Sequence, residues 1–385
     1  MKWLAPFTCI VFFGVFLFYG LYEYQQANSF IISDILNHAS SIGGSPRVER
    51  EFKLGINHTI GDNHKDVDTL IFQTLMKEIE DNSQWKASQR YDKKYKVSYS
   101  KDIFLFRDLY FETNENLLNE KNSNLRLRYR WKNQYSHKEF MKGTQSDEAK
   151  PTRVEIQSKI ERKSLENNII QSKETRLEFL RDDNPIKNYF EAGKAQALLP
   201  LFTGIIKTGR WKSNSLNPIK VLMNHLNPEK ILTDSRFYLK PYWAIYTHRN
   251  RLHLKLNTPW GSGANPDHTF IVTIDRFWGA PTPAKVREND LRILFSKQPP
   301  LEKQMLEIEI EFERNTSQVL DEEIIKLKET NNPRFKELAN TRQDFLDDQM
   351  KLTTIIFSAL KDKGFEVNFI TESKLERLNP NLKKN

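Results

Sequence analysis

Residues 47–56 read RVEREFKLGI. As a strand, this stretch puts Glu49, Glu51 and Lys53 on one face and Val48, Phe52 and Leu54 on the other, with Arg50 breaking an otherwise strict alternation. The apolar face can pack. The charged face suits either a solvent-washed wall or a site that gathers ions, and the rest of the chain has to decide between them.

Four later segments share the peculiarity. In LRLRYRW (125–131), Arg126, Arg128 and Arg130 alternate with Leu125, Leu127, Tyr129 and Trp131. In RLHLKLN (251–257), Arg251, His253, Lys255 and Asn257 alternate with leucines. RFYLK (236–240) sets Arg236, Tyr238 and Lys240 against Phe237 and Leu239, and EIEIEFE (307–313) sets four glutamates against Ile308, Ile310 and Phe312. Whole strands thus carry one sign, and like charges two residues apart repel unless something of opposite charge lies between them. One such strand is accommodated as an ordinary wet face. Several in one chain point to an α+β fold: a closed or nearly closed antiparallel barrel with charged faces turned inward around a water-filled lumen, and apolar faces packed outside against helices. Such a lumen calls for a polyanion on its arginines and a divalent cation on its glutamates.

The chain has 385 residues, enough for one large domain or two ordinary ones, and 38% hydrophobic residues, enough for a core, which excludes a disordered chain. With 59 Lys+Arg against 50 Asp+Glu it carries a formal charge of +9, which favours polyanionic partners. The sole cysteine, Cys9, lies in the apolar N-terminus, so the domain beyond it holds no internal disulfide and no cysteine metal site. Residues 3–22, WLAPFTCIVFFGVFLFYGLY, are uncharged and mostly apolar, long enough to cross about 30 Å of hydrocarbon as a helix. They predict a single-pass membrane anchor over 1–24. Lys2 before the span and Glu23 and Asp34 after it favour an extracytoplasmic domain.

A linker over 25–46 ends in SIGGSPR, and the folded part begins at Arg47. Residues 66–80 carry Val67, Leu70, Ile71, Leu75 and Ile79 at helical spacing. The block 180–230, with Pro185, Pro200, Pro218 and Pro228, reads as an insertion or lid, and 317–364 as a helical C-terminal part with a cap at Gly364. No Ser-His-Asp or Cys-His set is visible, and nothing is spaced to partner His253.

These residues resemble the triphosphate tunnel metalloenzyme superfamily and its CYTH domains. VEREFKL supplies a Glu-x-Glu-x-Lys signature, DLYFETNENLLNEKNSNLRLRYR looks like the loop leading to the Leu-Arg-x-Arg strand, and LEIEIEFE looks like the late acidic strand. VEIQSKIERKS and SKETRLEF are similar to the paired basic strands that offer Lys159 and Arg176, VTIDRFWG to the strand carrying Asp275, and ESKLERL to a closing motif at Lys374. The matches span about 47 to 377. LKPYWAIYTHRNR with VTIDR also resembles the polyphosphate-polymerase branch, the vacuolar transporter chaperone (VTC) domains.

The resemblance implies an eight-stranded tunnel that binds a triphosphate with Mg²⁺ or Mn²⁺. Arg126, Arg128, Lys159, Arg176, Arg251 and Lys255 would neutralise phosphate oxygens. Glu49, Glu51, Glu307 and Glu309 offer hard oxygen ligands, although four glutamates in register leave open which of them ligate. Glu49, Glu51, Lys53 and Glu309 would carry the catalysis. Lys53 either steadies the carboxylates, touches phosphate or makes an in-strand pair with Glu51; Asp275 is a further ligand or pairs with Arg276. The expected activity is metal-dependent hydrolysis of inorganic triphosphate or another triphosphate-containing substrate, an RNA 5′-triphosphate end included. The alternatives are a membrane-anchored polyphosphate polymerase and a non-catalytic polyphosphate sensor.

Overall fold

The structure, a computed structural model, describes residues 47–57, several between 71 and 77, then 97–132, 152–180, 217–226, 239–256, 268–282, 304–312 and 314–382, with single gaps in places. The expected anchor, the linker, residues 236–238 of RFYLK and most of the 180–230 block lie outside them. No helix among the described residues is long and apolar enough to cross a membrane.

The strands are β1 (Arg47–Asn57), β2 (Val97–Glu112), β3 (Asn124–Lys132), β4 (Arg153–Ser164), β5 (Ile170–Leu180), β6 (Lys240–Leu256), β7 (His268–Pro281), β8 (Met305–Phe312) and β9 (Glu366–Phe369). Their order is β5-β4-β3-β2-β6-β7-β8-β1, and β1 also pairs with β5, so eight antiparallel strands close into a barrel. Closure removes the sheet's open edges. The helices are α1 (Leu117–Glu120), α2 (Asn217–Leu226), α3 (Arg314–Glu329), α4 (Arg334–Asp362) and α5 (Lys374–Leu378).

The seam is made by β1. Arg47–Glu51 pair with β5, Leu54–Asn57 pair with β9, and Glu51–Ile56 pair with β8. The first and last segments of the domain therefore share one strand. Alternation does the sorting: Phe52, Leu54, Ile308, Ile310, Val272, Ile274, Leu252 and Leu254 all face outward into one buried cluster. Leu352, Ile356 and Leu360 of α4, four residues apart, complete that cluster as one helix face. Arg50, the residue that breaks the alternation in β1, reaches Asp321 of α3 at 3.0 Å and Gln171 at 3.2 Å. An outward charge is thereby paired.

Two helix expectations are met in outline. Helical residues lie between 71 and 77 with Ile71 and Met76 buried, and α4 stops just before Gly364, whose φ of 83° suits a residue without Cβ. The proline-rich block hides α2, because Pro218 falls in its first turn, where the missing N–H is no loss. Gly55 matters for a different reason. A Cβ there would lie 2.9 Å from Ile370, so its absence lets the C-terminal segment lie against the inner face of β1.

Candidate functional site

The inward faces of β2 and β3 meet in register: Tyr110 opposite Arg126, Asp108 opposite Arg128, and Phe106 opposite Arg130. Arg128 forks onto Asp108 with Nε and Nη2 each 2.6 Å from a carboxylate oxygen. Arg126 donates to Gln157 at 2.6 Å, to Tyr110 at 3.0 Å and to Asp108 at 3.3 Å. Burial would raise the Asp108 carboxyl, but Arg128 and Arg126 outweigh it and hold the group below its usual value. On β4 and β5, Lys159 contacts Glu49 and Arg176 contacts Glu174.

Between the strands of this basic wall stand two phenyl rings that the alternation of β2 turns inward. Phe106 lies under Arg128 at 4.2 Å and Arg249 at 5.4 Å; Phe104 lies under Arg130 at 4.1 Å and Arg251 at 4.9 Å. The rings stack on each other with centroids 5.9 Å apart. Each ring's negative face separates two cations without neutralising them.

Opposite runs the acidic wall. Lys53 Nζ lies 3.0 Å from Glu309, 3.2 Å from Glu51 and 3.9 Å from Glu307. Glu309 also accepts from Arg249 at 2.5 Å and Thr273 at 3.3 Å. Burial would lower the Lys53 ammonium and raise the Glu309 carboxyl, yet the pairings reverse both: Lys53 is raised, and Lys374, Lys53 and Arg249 hold Glu309 well below its usual range. Glu309 is therefore ionised and saturated with donors, which makes it a poor proton acceptor at neutral pH. Asp275 pairs not with Arg276, its neighbour on the other face, but with Arg249 in a two-pronged bond of 2.7 and 2.5 Å.

Both walls enclose one cavity of about 60 Å³, lined by ten basic and five acidic side chains together with Phe106, Tyr110, Asn124 and Ser373. Of the residues expected at the site, Glu49, Glu51, Lys53, Glu309, Arg126, Arg128, Lys159, Arg176 and Arg251 all line it. Glu307 does not. It faces Gly55 across the strand pair, where Ile370 and Arg377 fill the space, and it is fully buried against Lys374 and Arg377. Lys255 is placed by backbone register alone, opposite Ser98 and Thr269. His253 has a carboxylate partner after all, Asp102 at 3.4 Å, brought across from β2.

Carboxylate oxygen is the donor that Mg²⁺ and Mn²⁺ prefer, and the barrel offers two groups of it. Asp275, Glu307 and Glu309 place oxygens within 4.8 Å of one another. Lys374 Nζ stands among them, 2.8 Å from Asp275 and from Glu309 and in contact with Glu307. Its ammonium partly neutralises them and occupies the space between them. Glu49, Glu51 and Glu311 instead line the cavity, and Glu51 and Glu311 are direct cross-strand partners. Among the described residues only the first set gathers three carboxylates that closely, whereas the second faces the cavity itself.

Sequence reasoning passed over Arg130, Glu155, Arg162 and Arg249 as site members, left Glu311 open among the four late glutamates, and had Lys374 only as the closing motif of the resemblance. Arg130 and Glu311 were in its strands. Arg249 sits two residues before Arg251, so extending the alternation backwards along YTHRNR finds it. Lys374 comes from α5, whose Ser373 cap closes with Glu376 in a capping box, and no strand periodicity reaches it.

No family model matches the chain, and no curated protein matches it. Solved structures are similar only distantly. HpAC1 from Hippeastrum, described as having a dominant triphosphatase activity, is 14% identical over 87% of this chain and 99% of its own, with a TM-score of 0.32. The PH1819 protein of Pyrococcus horikoshii OT3 is 13% identical over 86% and 99%, with a TM-score of 0.33. The Pct1 RNA triphosphatase of S. pombe is 10% identical over 85% and 92%, with a TM-score of 0.32. The barrel described above rests on the strand pairings of this chain itself.

Proposed function

We propose that the protein is a metal-dependent phosphohydrolase that takes inorganic triphosphate, or the triphosphate end of a larger molecule, into the barrel. One observation carries this reading. Carboxylates of β1 and β8 and guanidinium groups of β3, β5 and β6 converge from distant parts of the chain on one cavity inside the closed barrel. Arg126, Arg128, Lys159, Arg176 and Arg251 neutralise the non-bridging oxygens, while Asp108 holds the Arg128 fork in one orientation. Glu49, Glu51 and Glu311 would hold Mg²⁺ or Mn²⁺, which supplies polarisation of the terminal phosphoryl group and an acidified water for in-line attack. Lys53 keeps Glu51 and Glu309 in place.

The test is to incubate purified protein with tripolyphosphate or with ATP, plus Mg²⁺ or Mn²⁺, and to read both released phosphate and chain length. Release with shortening is expected. Longer chains would identify a polymerase, and binding without turnover a sensor; either would displace the hydrolase reading. The same proposal ties the domain to a membrane through residues 3–22, which alkaline extraction of membranes tests.

A further inference from the structure

The two inward phenyl rings of β2 serve different pairs of arginines. Under Phe106, Arg128 and Arg249 are each locked by a two-pronged carboxylate, Asp108 and Asp275 respectively. Under Phe104, neither guanidinium has such a lock among the described residues. Arg130 has Glu155 at 3.6 Å, and Arg251 Nε is buried with no hydrogen-bond partner among the described residues. Burial, with facing guanidinium groups adding to it, pushes Arg130 down to about 9 and Arg251 to about 10. Glu155 beside Arg130 and Glu311 beside Arg251 offset that push only in part, and a guanidinium does not surrender its proton in a protein.

We propose that Phe104 is a positioning residue that holds Arg130 and Arg251, brought to it from the two strands flanking β2, as a clamp for one phosphate group of a chain of three or more. The inference rests on the phosphate-binding reading above and adds a subsite to it. A diphosphate is served by the inner groups, whose carboxylate locks fix them beforehand. A third phosphate then reaches the outer pair, whose charge Phe104 keeps separated and unspent. The ring touches no substrate atom in this scheme. It fixes the gap between the two forks.

The experiment is calorimetric binding of tripolyphosphate and of pyrophosphate, with and without Mn²⁺, to the wild type and to Phe104→Leu, Phe104→Tyr, Arg130→Gln and Arg251→Gln, with thermal unfolding as a check on folding. Phe104→Leu is expected to weaken tripolyphosphate about tenfold and leave pyrophosphate within about twofold; Phe104→Tyr, which keeps the ring face, restores the difference. Arg130→Gln and Arg251→Gln should show the same selective loss, and they read the clamp even if Phe104→Leu does not fold. Equal losses for both anions, or an unchanged ratio in the arginine variants, would overturn the clamp. Because binding is read without turnover, failure to hydrolyse triphosphate leaves this result standing, whereas failure of the wild type to bind either anion overturns both.

Discussion

Glu51 of β1 and Glu311 of β8 stand directly opposite each other across an antiparallel pair, both on the inner wall. Like charges so placed destabilise a sheet by up to about 1 kcal/mol. Glu51 also pairs with the buried Lys53 at 3.2 Å, so Glu51→Gln or Glu311→Gln should leave the unfolding temperature nearly unchanged while lowering phosphate release from tripolyphosphate by on the order of a hundredfold, since metal-borne charge stabilisation is worth several kcal/mol. Calorimetric unfolding and a phosphate-release assay read the two effects, and loss of activity without loss of stability separates a site residue from a packing residue.

Added Mn²⁺ should stabilise the wild type by roughly 2.7 kcal/mol at a hundred times its dissociation constant, through binding to the folded state alone. In Glu51→Gln the gain should largely vanish. An equal response in both proteins would move the ion away from this wall.

Lys374 faces Asp275, Glu307 and Glu309 at once. Replacing it with Met leaves buried carboxylates short of a counter-charge, and breaking such a network costs about 3–5 kcal/mol. Urea unfolding of Lys374→Met should show the loss. A variant as stable as the wild type would mean that Lys53, Arg249 and Arg377 suffice.

Arg128 holds Asp108 with two parallel bonds, a geometry lysine cannot copy. Arg128→Lys should therefore behave more like Arg128→Gln than like the wild type, each weakening tripolyphosphate binding by about tenfold, a loss on the order of 1–2 kcal/mol. Titration calorimetry at two salt concentrations measures this, with a shallower salt dependence expected in Arg126→Gln, where a phosphate contact is removed outright.

Asp108, Glu155, Asp275 and Glu309 are all held below their ordinary values of 3.8 or 4.5, because facing cations outweigh the effect of burial. Groups lowered on folding lend stability that is complete above the unfolded value and disappears as pH falls through the folded one. Lys53 and Lys374 are raised above 10.5, so their share is complete below that pH and is lost only further up. The unfolding temperature should accordingly be flat from about pH 5 to pH 10 and drop steeply below about pH 4. Circular dichroism across that range checks it.

The barrel was legible because one-sign alternation leaves little freedom: EIEIEFE buries Ile308 and Ile310 only by turning Glu307, Glu309 and Glu311 inward. What alternation cannot convey is depth along the axis. Glu307 and Glu311 look equivalent in sequence, yet one faces Gly55 and the filled end of the barrel and the other faces Glu51 and the cavity. Phe104 and Phe106 escaped notice for a related reason. IFLFRDLYFE is apolar on both faces, so period two does not say which residues point inward until the arginines of β3 fix its register. Lys374 and the Asp102–His253 pair depend on contacts between remote segments, which local pattern does not encode.

Because β1 closes against strands made much later, its two hydrogen-bonding edges wait for partners. On one edge Arg47–Glu51 need β5 and Leu54–Asn57 need β9, and on the other Glu51–Ile56 need β8, some 250 residues downstream. A nascent chain stopped before Met305 holds a strand with one apolar face and its β8 edge unpaired, the condition that favours association with other chains. High sequence separation between partners also makes assembly slow. Production of this domain is thus a race between finishing the polypeptide and sticking to a neighbour, and slower initiation at lower temperature favours the finished barrel.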